Sequence, residues 1–211
     1  MEKRFSKVQN ITLLISVIPT GVFLFNYTQN AYDPYPTLFL TQFSAKTALL
    51  FLLVSLTCTP LRNILGMSAW LKVRKTSGLA AFYYALLHTF TFIVLDYQLN
   101  PNWLIPEFRD KPYLLLGLAA LVLLIPLALT SGERIQARLG KIWKRIHRLV
   151  YLIGLLILAH QYFAIKGDKS SAVLYIIVYG ILMMLRLPFI RDTLKIKPCT
   201  ICQTINQWLI S

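Results

Sequence analysis

The chain has 211 residues, 56% of them hydrophobic and only 14% charged, with a formal net charge of +14. A soluble domain carries about a quarter charged residues, so the ordinary water-soluble classes are excluded and lipid is the expected solvent. The positive charge is gathered in some of the gaps between apolar runs. Attraction to anionic head groups accounts for it, and no nucleic-acid partner is expected.

Six apolar runs follow one another. The first, Ile11–Tyr27, comes after the basic stretch Met1–Asn10 and has no small-residue cleavage site behind it, so it reads as a retained span. The second, Thr47–Leu61, falls short of the roughly 17–25 residues that a span needs. Phe43–Lys46 would complete it, with Lys46 snorkelling to the outer surface. Thr59-Pro60 is expected to end it, and Thr76-Ser77-Gly78 to start the third run, Gly78–Leu95. Asp110-Lys111-Pro112 places a proline at the start of the fourth, Tyr113–Thr130. Leu149–Ile165 and Ser171–Phe189 complete the set, and Pro19 and Pro126 are expected to kink the runs that hold them. The expected fold is an all-α integral membrane protein. Residues 1–211 form one domain, a bundle of six transmembrane helices near 11–27, 44–61, 78–95, 113–130, 149–165 and 171–189, with a tail at 190–211.

Orientation follows from the distribution of lysine and arginine. Of the 22 basic residues, 17 fall on the side of the N-terminus, among them Arg62, Arg74, Lys75, Lys141, Lys144 and Arg148. Only Lys46, Arg109, Lys111, Lys166 and Lys169 fall on the other side, together with five of the eight acids. The basic side is therefore expected to be cytoplasmic, with both termini facing it.

The chain holds three histidines, His88, His147 and His160. An ionisable side chain at membrane depth is expensive and usually functional, and neutral imidazole is a good axial ligand for haem iron. His88 lies ten residues past Gly78 and His160 eleven past Leu149, depths of about 15 Å and 16–17 Å along helices that run in parallel. Two imidazoles at matched depth are placed to clamp one haem. His147 lies thirteen residues before His160, about 20 Å nearer the cytoplasm and some 220° around an ideal helix. It reads either as an interfacial residue or as a further ligand. The alternative for His88 and His160 is polar glue between helices.

Cys58 lies in an apolar run, while Cys199 and Cys202 form a lone CxxC near the C-terminus. One such pair without a second makes a poor zinc site. The segment Ile201–Ile210 reads as a short interfacial helix with Trp208 at the head groups.

A wider pattern runs through Ser44-Ala45-Lys46-Thr47-Ala48-Leu49, Thr59-Pro60-Leu61-Arg62 and Arg74-Lys75 with Gly78-Leu79. It continues through Leu87-His88, Lys111-Pro112-Tyr113 with Gly117, and Leu127-Ala128-Leu129-Thr130-Ser131. Its most specific stretch is Leu139-Gly140-Lys141-Ile142-Trp143 with Ile146-His147-Arg148-Leu149-Val150-Tyr151. From Ser44 to Arg186 the chain resembles the MsrQ (YedZ) family. These are haem-binding membrane subunits of the bacterial methionine sulfoxide reductase system, within the ferric-reductase-like transmembrane group. The resemblance implies haem b with His88 and His160 as iron ligands, His147 as a further important histidine, and bound FMN. Arg74 and Lys75 are candidate phosphate contacts. It also implies a place in the bacterial inner membrane. There, electrons would pass from quinol to a periplasmic molybdenum (molybdopterin) enzyme that reduces methionine sulfoxide in proteins. Lys46 and Lys75 depart from the pattern by standing where arginine is expected. Lysine keeps the charge but lacks the bidentate fork.

Only 22 residues follow Phe189, and the chain has neither a G-x-G-x-x-G fingerprint nor a P-loop. Electrons are therefore expected from a lipid-soluble donor or a separate flavin reductase. Three other readings stay open at this level: a transporter or channel, a cofactor-free assembly subunit, and direct reduction of external metal ions. The first would call for inverted repeats and several intramembrane charges, whereas only Arg186 lies inside a run.

Overall fold

Long apolar runs with few β-breaking turns leave the backbone one way to satisfy itself in lipid, which is to bond within each segment. The computed structural model describes residues 6–193 and 200–210, and every regular element among them is helical. In chain order these are α1 (Lys7–Thr28), α2 (Pro36–Leu65), α3 (Ala69–Phe90), α4 (Pro101–Asp110) and α5 (Tyr113–Leu129). Then come α6 (Glu133–Leu139), α7 (Lys141–Ala164), α8 (Ser170–Met184), α9 (Pro188–Thr193) and α10 (Thr200–Ile210). A π-helical turn, Thr91–Asp96, continues α3. Cys199 and the side chain of Cys202 lie outside the described residues, so the CxxC expectation falls there too.

Each of the six apolar runs lies in helix, but several boundaries differ from expectation. Among the described residues, three helices are long and apolar enough to cross a membrane: α1, α2, and α3 with its π turn. A fourth results if α4 and α5, bent by 104° at their junction, count as one. Helix α2 spans 30 residues, about 45 Å at 1.5 Å per residue. Pro60 does not end it. The helix runs on to Leu65 and stops at Gly66, whose φ of 67° is left-handed and whose N–H donates to the Arg62 carbonyl at 2.9 Å. Helix α3 likewise starts at Ala69, nine residues before Gly78. The sixth run is broken, because α8 ends at Met184 and Pro188 opens α9.

The chain forms two compact units. The first comprises 1–36, 50–81 and 180–211. In it, Pro60 has no N–H to give to the carbonyl four residues back, at Leu56. The guanidinium of Arg186 donates to that Leu56 carbonyl instead. A distant arginine thus repairs the bond that an intrahelical proline removes. The Ser55 hydroxyl donates to the Arg74 carbonyl at 2.9 Å, and Arg74 reaches the Thr59 hydroxyl at 3.4 Å. The side-chain oxygen of Asn206 on α10 accepts from the N–H of Ala69 at 3.0 Å, satisfying one of the open donors at the start of α3. Lys7 lies over the Trp208 ring at 4.8 Å.

The second unit comprises 37–49 and 82–179. Its core is the α5–α7 pair. Ala120, Leu124 and Leu127, at i, i+4 and i+7, face Ile153, with Phe82, Ala85, Leu149 and Val150 around them. Gly154 permits a close approach, because a Cβ there would stand 2.4 Å from the Tyr179 ring. The Tyr179 hydroxyl donates to the Tyr151 carbonyl at 2.6 Å.

Candidate functional site

The second unit holds a cavity of about 790 Å³, within the range of 300–1,000 Å³ usual for small-molecule and cofactor pockets. Both His88 and His160 line it, among apolar side chains that include Phe92, Leu121, Leu124 and Ile157. The two imidazole rings lie with centroids 6.3 Å apart and planes inclined by 72°.

Each ring is held by a backbone carbonyl from a helix other than its own. His88 Nδ1 donates to the Thr41 carbonyl on α2 at 3.0 Å, and His160 Nδ1 donates to the Tyr113 carbonyl on α5 at 2.8 Å. A carbonyl only accepts, so the proton of each neutral ring is on Nδ1 and the lone pair is on Nε2. Carbonyl bonds of this kind orient metal-ligating histidines and raise their basicity. The Thr41 hydroxyl also donates to Asp96 at 3.2 Å, joining the start of α2 to the π turn that follows His88. The Thr91 hydroxyl, fully buried, donates to the His88 carbonyl at 2.8 Å. Turns of π-helix recur at functional sites.

The separation has a chemical meaning. Two imidazoles at that separation would be able to hold one metal between them at the usual nitrogen–metal distance of about 2.0–2.1 Å. No group of three or more His, Cys, Asp or Glu among the described residues is placed to hold a bare ion. Two imidazoles alone suit a metal whose other positions are filled by a macrocycle, as in haem. Gln161 adds a buried side-chain oxygen that has no hydrogen-bond partner among the described residues and also lines the cavity. The residues present therefore fit a bis-histidine haem.

Other expected site residues are placed differently. His147 does not line this cavity. It donates from Nδ1 to the Trp143 carbonyl at 3.2 Å, and its ring stacks on Trp143 with centroids 4.1 Å apart. Trp143 in turn donates to the Thr130 carbonyl at 3.0 Å. Arg74 and Lys75 are half-buried residues of the first unit. Lys46 stands ten residues inside α2 and lines the cavity, with Lys166 and Asp168. Thr41, Tyr113 and Gly117 were missed as contributors to histidine orientation. The first two act through carbonyls, which carry no side-chain signature, and Gly117 acts through the absence of a side chain.

Lys111, the residue that caps the end of α4, pairs with Glu107 one turn back on that helix. The bond from Lys111 holds the Glu107 carboxyl below the usual carboxylate range, and the same contact raises the Lys111 ammonium. Burial, followed by the Glu107 carboxylate, pushes the Tyr97 hydroxyl up to about 12.

Residues 44–158 match the family described as ferric reductase like transmembrane component. The chain belongs to that family. It is also 32% identical over 183 residues to the protein-methionine-sulfoxide reductase heme-binding subunit MsrQ of Bordetella pertussis, an alignment covering 86% of this chain and 89% of that protein. The MsrQ protein of Rhizobium meliloti is 39% identical over 139 residues, 66% of this chain and 64% of the relative, just under two thirds of its length. The family match contains His88 and His147 and ends two residues before His160.

Proposed function

We propose that the chain is a haem b membrane electron-transfer subunit, in which His88 and His160 would hold the iron. The observation that carries this reading is the pair of imidazoles 6.3 Å apart, each with Nδ1 bonded to a backbone carbonyl. Haem bound there would supply an iron that gains and loses one electron. The chain's own residues hold the rings in one tautomer, keep both Nε2 lone pairs available and surround the site largely with apolar side chains. Thr41 and Tyr113 set ligand basicity, one of the levers on haem potential.

The names of the relatives support a place in a methionine sulfoxide reductase system. We extend this to electrons drawn from quinol or a separate flavin reductase and passed to a periplasmic molybdopterin-dependent catalytic subunit. The reading carries with it one six-span domain in the bacterial inner membrane, with both termini cytoplasmic. FMN, if bound, would find cations for its phosphate at Arg74 and Lys75, and His147 on its Trp143 stack is the candidate for a further ligand. The family description favours a second reading, direct reduction of external ferric ions.

The test is a reduced-minus-oxidised visible spectrum with haem quantified against protein. About one b-type haem per wild-type chain is expected, with loss of the spectrum in His88→Ala and His160→Ala variants that still insert. Full haem retention in both variants would remove the assignment. Reduced protein assayed against ferric chelates and against the periplasmic enzyme separates the two readings.

A further inference from the structure

Three features of α5 meet the His160 ring. Its Nδ1 donates to the Tyr113 carbonyl at 2.8 Å, and the Tyr113 ring lies 5.8 Å from it at 57°. One turn along the same helix, Gly117 stands directly against the imidazole. A Cβ at that position would be 2.9 Å from both Cε1 and Nδ1 and 3.3 Å from Cγ. Contacts under about 3 Å are sterically closed, so a methyl group there and the present ring pose exclude each other. Glycine is a poor helix former, less favourable than alanine by about 1 kcal/mol. Its presence within an apolar helix is explained by what it lets approach.

We propose that Gly117 is a positioning residue for His160, fixing the plane of that imidazole at a steep angle to the plane of His88. The carbonyl of Tyr113 sets which nitrogen is protonated, and the bare face of α5 at Gly117 sets the rotation of the ring. His88 has its own carbonyl on α2, so the two ring planes are set by separate helices and meet at 72°. The inference rests on the bis-imidazole haem reading. Ring orientation matters there because imidazole planes near perpendicular leave the two π-type iron orbitals close in energy, whereas parallel planes split them. Strongly inclined rings give a highly anisotropic low-spin ferric signal with an unusually high largest g value. They also remove a stabilisation of the ferric state that parallel rings supply.

The experiment is electron paramagnetic resonance of purified, oxidised protein, with haem content and a potentiometric titration of each sample. Wild type should show the highly anisotropic signal. Gly117→Ala should displace the largest g value and the potential, or lose half or more of the haem, in protein that still elutes as a folded species. Gly21→Ala is the control, since a Cβ there meets nothing within 4 Å. It should leave spectrum, potential and haem content unchanged. A Gly117→Ala protein with full haem, an unshifted signal and an unshifted potential would overturn the proposal. If that variant fails to fold, the wild-type spectrum decides. A rhombic signal of the parallel-ring type overturns the proposed orientation, and the anisotropic signal supports it. Wild-type protein without haem would instead sink the functional reading on which the inference rests.

Discussion

A backbone carbonyl is a weak signal in a sequence and a strong one in a site. Thr41 and Tyr113 each present a carbonyl to a histidine 47 residues away. Together they give two neutral imidazoles a defined tautomer, with the lone pair on Nε2. Side-chain replacement at Thr41 or Tyr113 would leave these bonds formally intact, which is why the histidines and Gly117 are the informative positions. The Glu107–Lys111 pair offers a separate residue-scale test. The folded Glu107 carboxyl lies below its ordinary value of 4.5. Its contribution to stability is therefore complete above that value and is lost as the pH falls through the lower folded value. The pair is partly exposed, so it contributes less than about 1 kcal/mol. Wild type and Glu107→Gln should differ slightly in melting temperature in detergent at neutral pH, and the difference should vanish in acid. A difference that persists unchanged into strong acid would show that the carboxylate charge is not its source.

At the scale of elements, proline was read as a stop and acts here as a joint. Pro60 lies inside α2, and Arg186 supplies the donor that Leu56 would otherwise lack. Local sequence rules end a helix near such a proline because the missing N–H and the ring clash are local. They do not register that a guanidinium 126 positions later in the chain compensates. Replacing Arg186 with methionine leaves a buried carbonyl unpaired and should cost about 1–3 kcal/mol. In a Pro60→Ala background the N–H returns, so the same replacement should cost markedly less. Thermal unfolding of the four proteins of this double-mutant cycle measures the coupling. Additive effects would show that Arg186 and Pro60 act separately. The early start of α3 has a related cause, since Asn206 on α10 satisfies the Ala69 N–H from a distant part of the chain.

For the whole molecule, the distribution of charge makes the clearest prediction. If both termini face the cytoplasm, an alkaline phosphatase fused after Ser211 should be inactive and a cytoplasmic fluorescent reporter at the same place active. The reverse pattern would invert the proposed topology. The helical class was legible, because lipid demands long apolar segments and intrasegment hydrogen bonding. The junction at Pro112 was legible for the same reason that proline opens helices elsewhere. A common level for His88 and His160 was expected from their depth along the two helices. A rise of about 1.5 Å per residue makes level a linear function of position once the run is known, and the rings do lie 6.3 Å apart. The separate place of His147 was foreshadowed by its angular offset on α7, and its stack with Trp143, four residues earlier, is a local helical contact. Composition and periodicity by themselves thus determined an all-helical chain in lipid with two histidines at one level. Only the tertiary structure decided which nitrogen each ring leaves available, which glycine the His160 ring lies against, and which arginine mends the proline in α2. Those outcomes depend on contacts between positions tens of residues apart, which no local rule of helix or hydropathy encodes.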